Sequence, residues 1–293
     1  MLKPQSPIYG LSEDKETITL KRFSKPQWPT ISDRTKGSIV AFLDVETTGL
    51  NHQNDKIIEI ALVRFICDAE GSVLGILDEY SGLEDPKFPL PEIITQITGI
   101  TDEMLCDQSV DWKHLNTMLS ECSLILAHNA AFDRPFVDRV CKASQQTLWG
   151  CSMSQIAWSD YGHRSKSLEH LARDHGFFYT AHRALMDVYA AIKLLQFPSP
   201  MGYKTHLQEI LIRAPKGDCL IKARGAAFDK KELLKSQFFR WNPDERVWFK
   251  HLPSEDADSM LLWMKENIYI SGPMEPEVIV LDAKHRFQAQ PGL

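Results

Sequence analysis

Ser38-Ile39-Val40-Ala41-Phe42-Leu43-Asp44-Val45-Glu46-Thr47-Thr48-Gly49-Leu50 is the stretch on which the fold turns. Its apolar run has strand length and is rich in residues that favour extended backbone, so it reads as the opening strand of a buried sheet. The run ends in two acids at i and i+2, whose side chains leave a strand on the same face about 6–7 Å apart. That spacing suits two ligands converging on one hard cation. An unpaired carboxylate at the end of a central strand is costly, so Asp44 either faces solvent or serves such a site. The Thr47-Thr48-Gly49 turn is small enough for backbone N–H groups to approach a ligand closely.

Downstream, Ile57 to Ile66 reads as a second strand and Val73 to Tyr80 as a third, joined through a turn at Glu70-Gly71-Ser72, which makes an antiparallel meander. Strands and helices then alternate. Val110 to Cys122 has helical spacing, Leu124 to Ala127 is a short buried strand, and Phe132 to Ala143 is helical again. Ser167 opens a further helix that ends at Gly176, and Arg183 to Gln196 forms a last one before Pro198 and Pro200. This order predicts an α/β protein with a mixed sheet flanked by helices. Residues 1–37, which hold Pro4, Pro7, Pro26 and Pro29, read as an N-terminal arm, residues 38–197 as the main domain, and residues 198–293 as a small accessory domain and tail.

With 43% hydrophobic and 25% charged residues, the 293-residue chain is neither disordered nor collagen-like and can bury a sizeable core. No stretch has the length of a membrane span, and Met1 to Gly10 lacks the layout of a secretory signal, so a cytoplasmic location without membrane attachment is expected. Six cysteines without a Cys-x-x-Cys pair indicate reduced thiols rather than a disulfide framework or a zinc site. The net charge of -6 argues against a general nucleic-acid binder, but it is unevenly spread. Residues 201–250 hold 11 Lys or Arg against 6 Asp or Glu, a surplus of +5 that leaves -11 elsewhere.

Two further acids follow. Asp133, in Ala127-His128-Asn129-Ala130-Ala131-Phe132-Asp133, falls in the first turn of a helix, where the helix dipole alone would favour it. Asp187, in Ala181-His182-Arg183-Ala184-Leu185-Met186-Asp187, falls on an apolar helical face and must be either exposed or compensated. His182, at the helix start, reads as a capping-region residue when taken alone.

Taken in order, Asp-x-Glu, then Asp, then His-x-x-x-x-Asp resembles the DEDD superfamily of 3′-to-5′ exonucleases. The branch is the one with a histidine in its last motif (DEDDh), in particular its members that proofread for bacterial DNA polymerase III. The resemblance covers about residues 38–197, and Thr98-Gly99-Ile100-Thr101 adds to it. It implies a ribonuclease H-like fold and two divalent cations, Mg2+ or Mn2+, held by Asp44, Glu46, Asp133 and Asp187, with Asp44 bridging both. Four gathered carboxylates need such neutralisation. The resemblance further implies that His182 acts as general base. It places Thr47, Thr48, Gly49, Leu50, His128, Asn129 and Phe132 around the terminal nucleotide, a contact set that reads shape more than base identity.

The expected activity is hydrolysis of phosphodiester bonds at the 3′ end of DNA to release nucleoside 5′-monophosphates. An exoribonuclease or a non-catalytic nucleic-acid or protein-interaction module stands as the alternative. The expected partners are single-stranded 3′ ends, with a polymerase or repair protein.

After residue 200 the resemblance lapses. Phe238 to Lys250 reads as strand, Asn-Pro-Asp turn and strand, Ser259 to Asn267 as a short helix, and Val278 to Leu281 as a strand, an α+β composition. Arg240-Trp241 and Val247-Trp248 resemble a small accessory domain found beside varied bacterial nucleic-acid proteins. The tryptophans fit either a small core or a base-stacking platform.

Overall fold

The computed structural model describes residues 16–25, 28–270 and 274–289, so the first part of the arm lies outside the described residues. The chain forms two compact units, one of residues 1–214 with 287–293 and one of residues 215–286.

The first unit is built on a five-stranded sheet. After a short strand β1 (Lys21–Arg22) come β2 (Ser38–Thr47), β3 (Ile57–Cys67) and β4 (Val73–Leu83), the predicted meander, and then β5 (Leu124–Ala127) and β6 (Leu148–Cys151). The order across the sheet is β4-β3-β2-β5-β6, with β2 antiparallel to β3 and parallel to β5. β3 is buried along its whole length because it lies inside the sheet with both faces covered. β1 pairs in parallel with β7 (Phe177–Phe178).

Alternation along β2 assigns its side chains. Val40 and Phe42 face a core with Ala61, Val63 and the helices α6 (Leu168–Asp174) and α7 (Ala184–Leu195), while Ala41, Leu43 and Val45 face a second core with Ile60, Leu62 and α3 (Trp112–Ser120). Asp44 and Glu46 therefore belong to the α7 face. α1 (Glu92–Thr98) and α2 (Asp102–Leu105) precede α3. The helix expected over 132–143 is two helices, α4 (Ala130–Val137) and α5 (Lys142–Gln146). α8 (His206–Arg213) follows the Pro198–Pro200 break and places Leu207 and Ile210 in the same core as α7, so the first unit extends past residue 197.

The second unit is a four-stranded antiparallel sheet ordered β11-β8-β10-β9, made of β8 (Asp218–Lys222), β9 (Arg240–Asn242), β10 (Val247–Pro253) and β11 (Glu277–Leu281). Cys219, Ile221 and Leu252 pack against Leu234 of α9 (Lys231–Ser236) and Met264 of α10 (Ala257–Asn267). Trp241 and Trp248 face each other across the hairpin at 5.5 Å between ring centroids, and Trp241 is 47% exposed. Among the described residues no helix is long and apolar enough to cross a membrane. All six cysteines are free thiols, and only Cys106 is exposed.

Candidate active site

The C-terminal end of β2 meets the N-terminal end of α7. There, oxygens of Asp44, Glu46 and Asp187 all lie within 4.8 Å of one another, the only such group of potential metal ligands among the described residues. Asp187 is fixed from two sides. Its Oδ1 accepts the Tyr179 hydroxyl at 2.7 Å, and its Oδ2 accepts the Arg183 N–H at 3.1 Å, so the same carboxylate that faces the cluster also caps its own helix. Asp133, in the first turn of α4, is 2% exposed and lies next to this group rather than within it. Its Oδ1 accepts the Val45 N–H at 3.3 Å, which ties α4 to the residue between Asp44 and Glu46.

The N-cap residue of α7, Arg183, makes no side-chain cap bond of its own. Glu59 of β3, directly across from Glu46 in the sheet, supplies one: it accepts the Ala184 N–H at 3.2 Å and the Arg183 guanidinium at 3.1 Å. His182, one residue earlier, is exposed and held at φ +64°, a conformation that non-glycine residues occupy at a cost of about 1 kcal/mol or more. The clamp on Arg183 and Ala184 fixes the chain on the far side of that bend.

The expected nucleotide-contact residues fall into two groups. Leu50 is 86% exposed and Asn129 is exposed at the head of α4, while Phe132 is half-buried against Phe136. Thr47 and Thr48 are buried, and their hydroxyls are committed within the turn: Thr47 donates to the Gly49 carbonyl and Thr48 to Asp55 at 3.0 Å. Asp55 also accepts the Asn51 N–H at 2.8 Å, and its carboxylate sits where a Cβ on Gly49 would fall, so a side chain at Gly49 would displace Asp55 from these bonds. Both His128 ring nitrogens are engaged. Nε2 donates to the Lys166 carbonyl and Nδ1 accepts from Ser152, each at 2.8 Å, and burial pulls this imidazole down to about 4, so it is neutral and clamps two loops together. Sequence reading missed Glu59, Tyr179, Arg183 and Asp55. Glu59 alone left a signal, as a charge inside an apolar strand.

Electrostatically the cluster is short of positive charge. Burial raises Asp44 well above the usual carboxylate range, and Asp133, Asp187 and Glu46 add to it; burial and Asp187 lift Glu46 to about 7, and burial lifts Asp133 to about 8. Burial also raises Asp187, against the opposing Tyr179 bond. Clustered, desolvated, hard oxygen donors of this kind fit divalent cations.

A stability prediction follows from the sign of these shifts. A carboxyl that is harder to ionise when folded loses stability as pH rises between its unfolded and folded values. The buried His128 and His175, both drawn down to about 4, oppose this trend below pH 6.5. In chelator, the melting temperature should therefore fall between pH 6.5 and 8.5, by on the order of 5 °C. Mg2+ or Mn2+ at pH 8.5 should restore it. Differential scanning fluorimetry tests both, and a flat profile that ignores the metal would contradict the geometry.

Comparison with known proteins agrees with this arrangement. The RNase T-type family model, described as exonuclease, matches residues 41–195. DNA polymerase III PolC-type of Staphylococcus haemolyticus is 32% identical over 192 residues, 61% of this chain and 13% of that protein; for the Staphylococcus aureus protein the match is 32% over 217 residues, 68% and 14%. The chain thus spans only about a seventh of the length of these curated relatives. The crystal structure of Escherichia coli exonuclease I with a dA16 oligonucleotide superposes with a TM-score of 0.50 at 17% identity, covering 85% of this chain and 66% of that one, a likeness of fold. The mixed sheet with its flanking helices is the ribonuclease H-like architecture. By a family match that takes in more than half its length, the chain belongs to the RNase T-type exonucleases of the DEDD superfamily.

Proposed function

We propose that this protein is a metal-dependent 3′-to-5′ exonuclease of the DEDDh type that releases nucleoside 5′-monophosphates from DNA. The observation that carries the reading is the gathering of Asp44, Glu46 and Asp187 within 4.8 Å at one end of the sheet, beside the exposed His182. Asp44, Glu46 and Asp187 would hold two cations, Mg2+ or Mn2+, with Asp133 as the fourth carboxylate. When bound, the cations neutralise the carboxylates and stabilise charge on the attacking and departing oxygens. Tyr179 and the Arg183 N–H orient Asp187, and Asp133 holds β2 through Val45. A ring nitrogen of His182 takes the proton of the attacking water. Leu50, exposed beyond the buried Thr47–Thr48 turn, presents an apolar surface to the terminal base, with Asn129 and Phe132 as further contacts.

DNA is favoured over RNA because the PolC-type relatives are DNA polymerases. By the same likeness, a polymerase or repair protein is the expected partner. End-labelled single-stranded DNA, duplex DNA and RNA, incubated with Mg2+ or Mn2+, test the reading. A 5′ label should give a descending ladder and a 3′ label immediate release of mononucleotide. The reverse label pattern would overturn the polarity, and RNA degraded faster than DNA would overturn the substrate.

A further inference from the structure

The second unit displays aromatic side chains that remain largely in solvent. Phe228 and Phe238 are 83% and 82% exposed, and Trp241, at the start of β9, is 47% exposed. Phe228 and Phe238 flank α9, a helix of six residues and so about 9 Å long, short enough for one extended strand to reach both.

Phe238 is the more telling of the two. The Phe239 N–H returns to the Leu234 carbonyl at 3.0 Å and the Phe238 N–H to the Lys235 carbonyl at 2.9 Å, the paired bonds of a Schellman helix end. The residue after the cap in that motif is left-handed and is usually glycine. Here it is Phe238, at φ +62°. A large aromatic thus occupies a strained backbone position with its ring in solvent, a combination that costs stability and buries almost no surface.

Cations border these rings. The Lys231 ammonium lies 4.7 Å over the Phe228 ring, Lys230 precedes it in the chain, and Arg240 adjoins Trp241. Of the acids between Phe228 and Trp241, Glu232 is paired with Lys235, which leaves Asp229. Exposed rings interleaved with cations complement a single-stranded polyanion with stackable bases, since ring faces take bases of any identity and the cations follow the phosphates.

We propose that Phe228, Phe238 and Trp241, with Lys230, Lys231 and Arg240, form a single-strand nucleic-acid binding surface on the second unit, separate from the acidic cluster. The assignment rests on the nucleic-acid reading above but not on catalysis.

The test uses the full chain in metal-free buffer with a fluorescent oligo-dT, read by anisotropy over a salt series, with hydrolysis of a dinucleotide in Mg2+ as a separate readout. Phe238→Gly should weaken binding about tenfold, within the range for one lost stacking contact, while the melting temperature of the second unit stays level or rises because strain is removed. Lys231→Gln with Arg240→Gln should flatten the salt dependence by roughly two charges. Dinucleotide hydrolysis should be unchanged in all variants. Wild-type affinity in both Phe238→Gly and Phe228→Ser would overturn the proposal. So would wild-type dimerisation that Phe238→Gly abolishes without a change in affinity, which would assign the surface to a second copy of the chain. Failed dinucleotide hydrolysis by the parent with intact oligonucleotide binding would instead overturn the catalytic reading alone.

Discussion

Asp44→Asn is expected to lower hydrolysis by roughly 10^3-fold or more, while raising the melting temperature of the metal-free protein at pH 8. Both effects have one cause. Asp44 is buried amid Asp133, Asp187, Glu46 and Glu59, and burial together with these neighbours disfavours its charge, which bound cations would offset. The amide keeps the shape of the side chain and removes the repulsion, so the folded state gains. On the proposed reading, the site would lose one of its two carboxylate ligands on β2, leaving Glu46, and with it several kcal/mol of charge stabilisation in the transition state, at about 1.36 kcal/mol per tenfold in rate. A variant that hydrolyses DNA within tenfold of the parent at saturating Mg2+ would remove Asp44 from the mechanism. A variant that is inactive and less stable would show only that the strand end was damaged.

The second large effect is expected at His182. Removing its imidazole should cost about 10^2- to 10^4-fold in turnover, the usual range for a positioned general base, and leave oligonucleotide binding intact. The backbone conformation at His182 allows a control. Because His182 sits at φ +64°, His182→Gly deletes the imidazole and relieves the bend together, whereas His182→Ala keeps the strain. Both variants should be equally slow, the glycine variant should melt at or above the parent, and added imidazole should recover part of the rate in each. Turnover that tracks stability instead, with glycine faster than alanine, would make His182 a structural residue.

Much of this site is legible in the sequence because it is encoded in short-range patterns. Strand alternation places Asp44 and Glu46 on one face, and the apolar helix 184–195 makes its one acid, Asp187, conspicuous. Glu59 left a signal, as a charge in an apolar strand, but its role was not legible. It sits within Ile57 to Cys67, where the apolar neighbours dominate the reading, and its partner is 125 positions away. Nor could the sequence show that the Thr47 and Thr48 hydroxyls are spent on Gly49 and Asp55, or that both His128 nitrogens are engaged, because each bond depends on a loop path. β6 was missed because four residues including Gly150 carry too little alternation. α8 was missed because a proline-rich break ends regular structure without ending the core that Leu207 and Ile210 join.

The Glu59 bond to Ala184 also bears on the order in which the molecule becomes complete. Asp44, Glu46 and Glu59 emerge early in synthesis, but the Ala184 amide at the start of α7 follows Glu59 by 125 residues, and until that helix docks Glu59 has no amide to hold and Asp187 is not in place. A growing or truncated chain therefore carries an unfinished cage. The acidic cluster is complete only after the long-range closure that β3 and α7 make together.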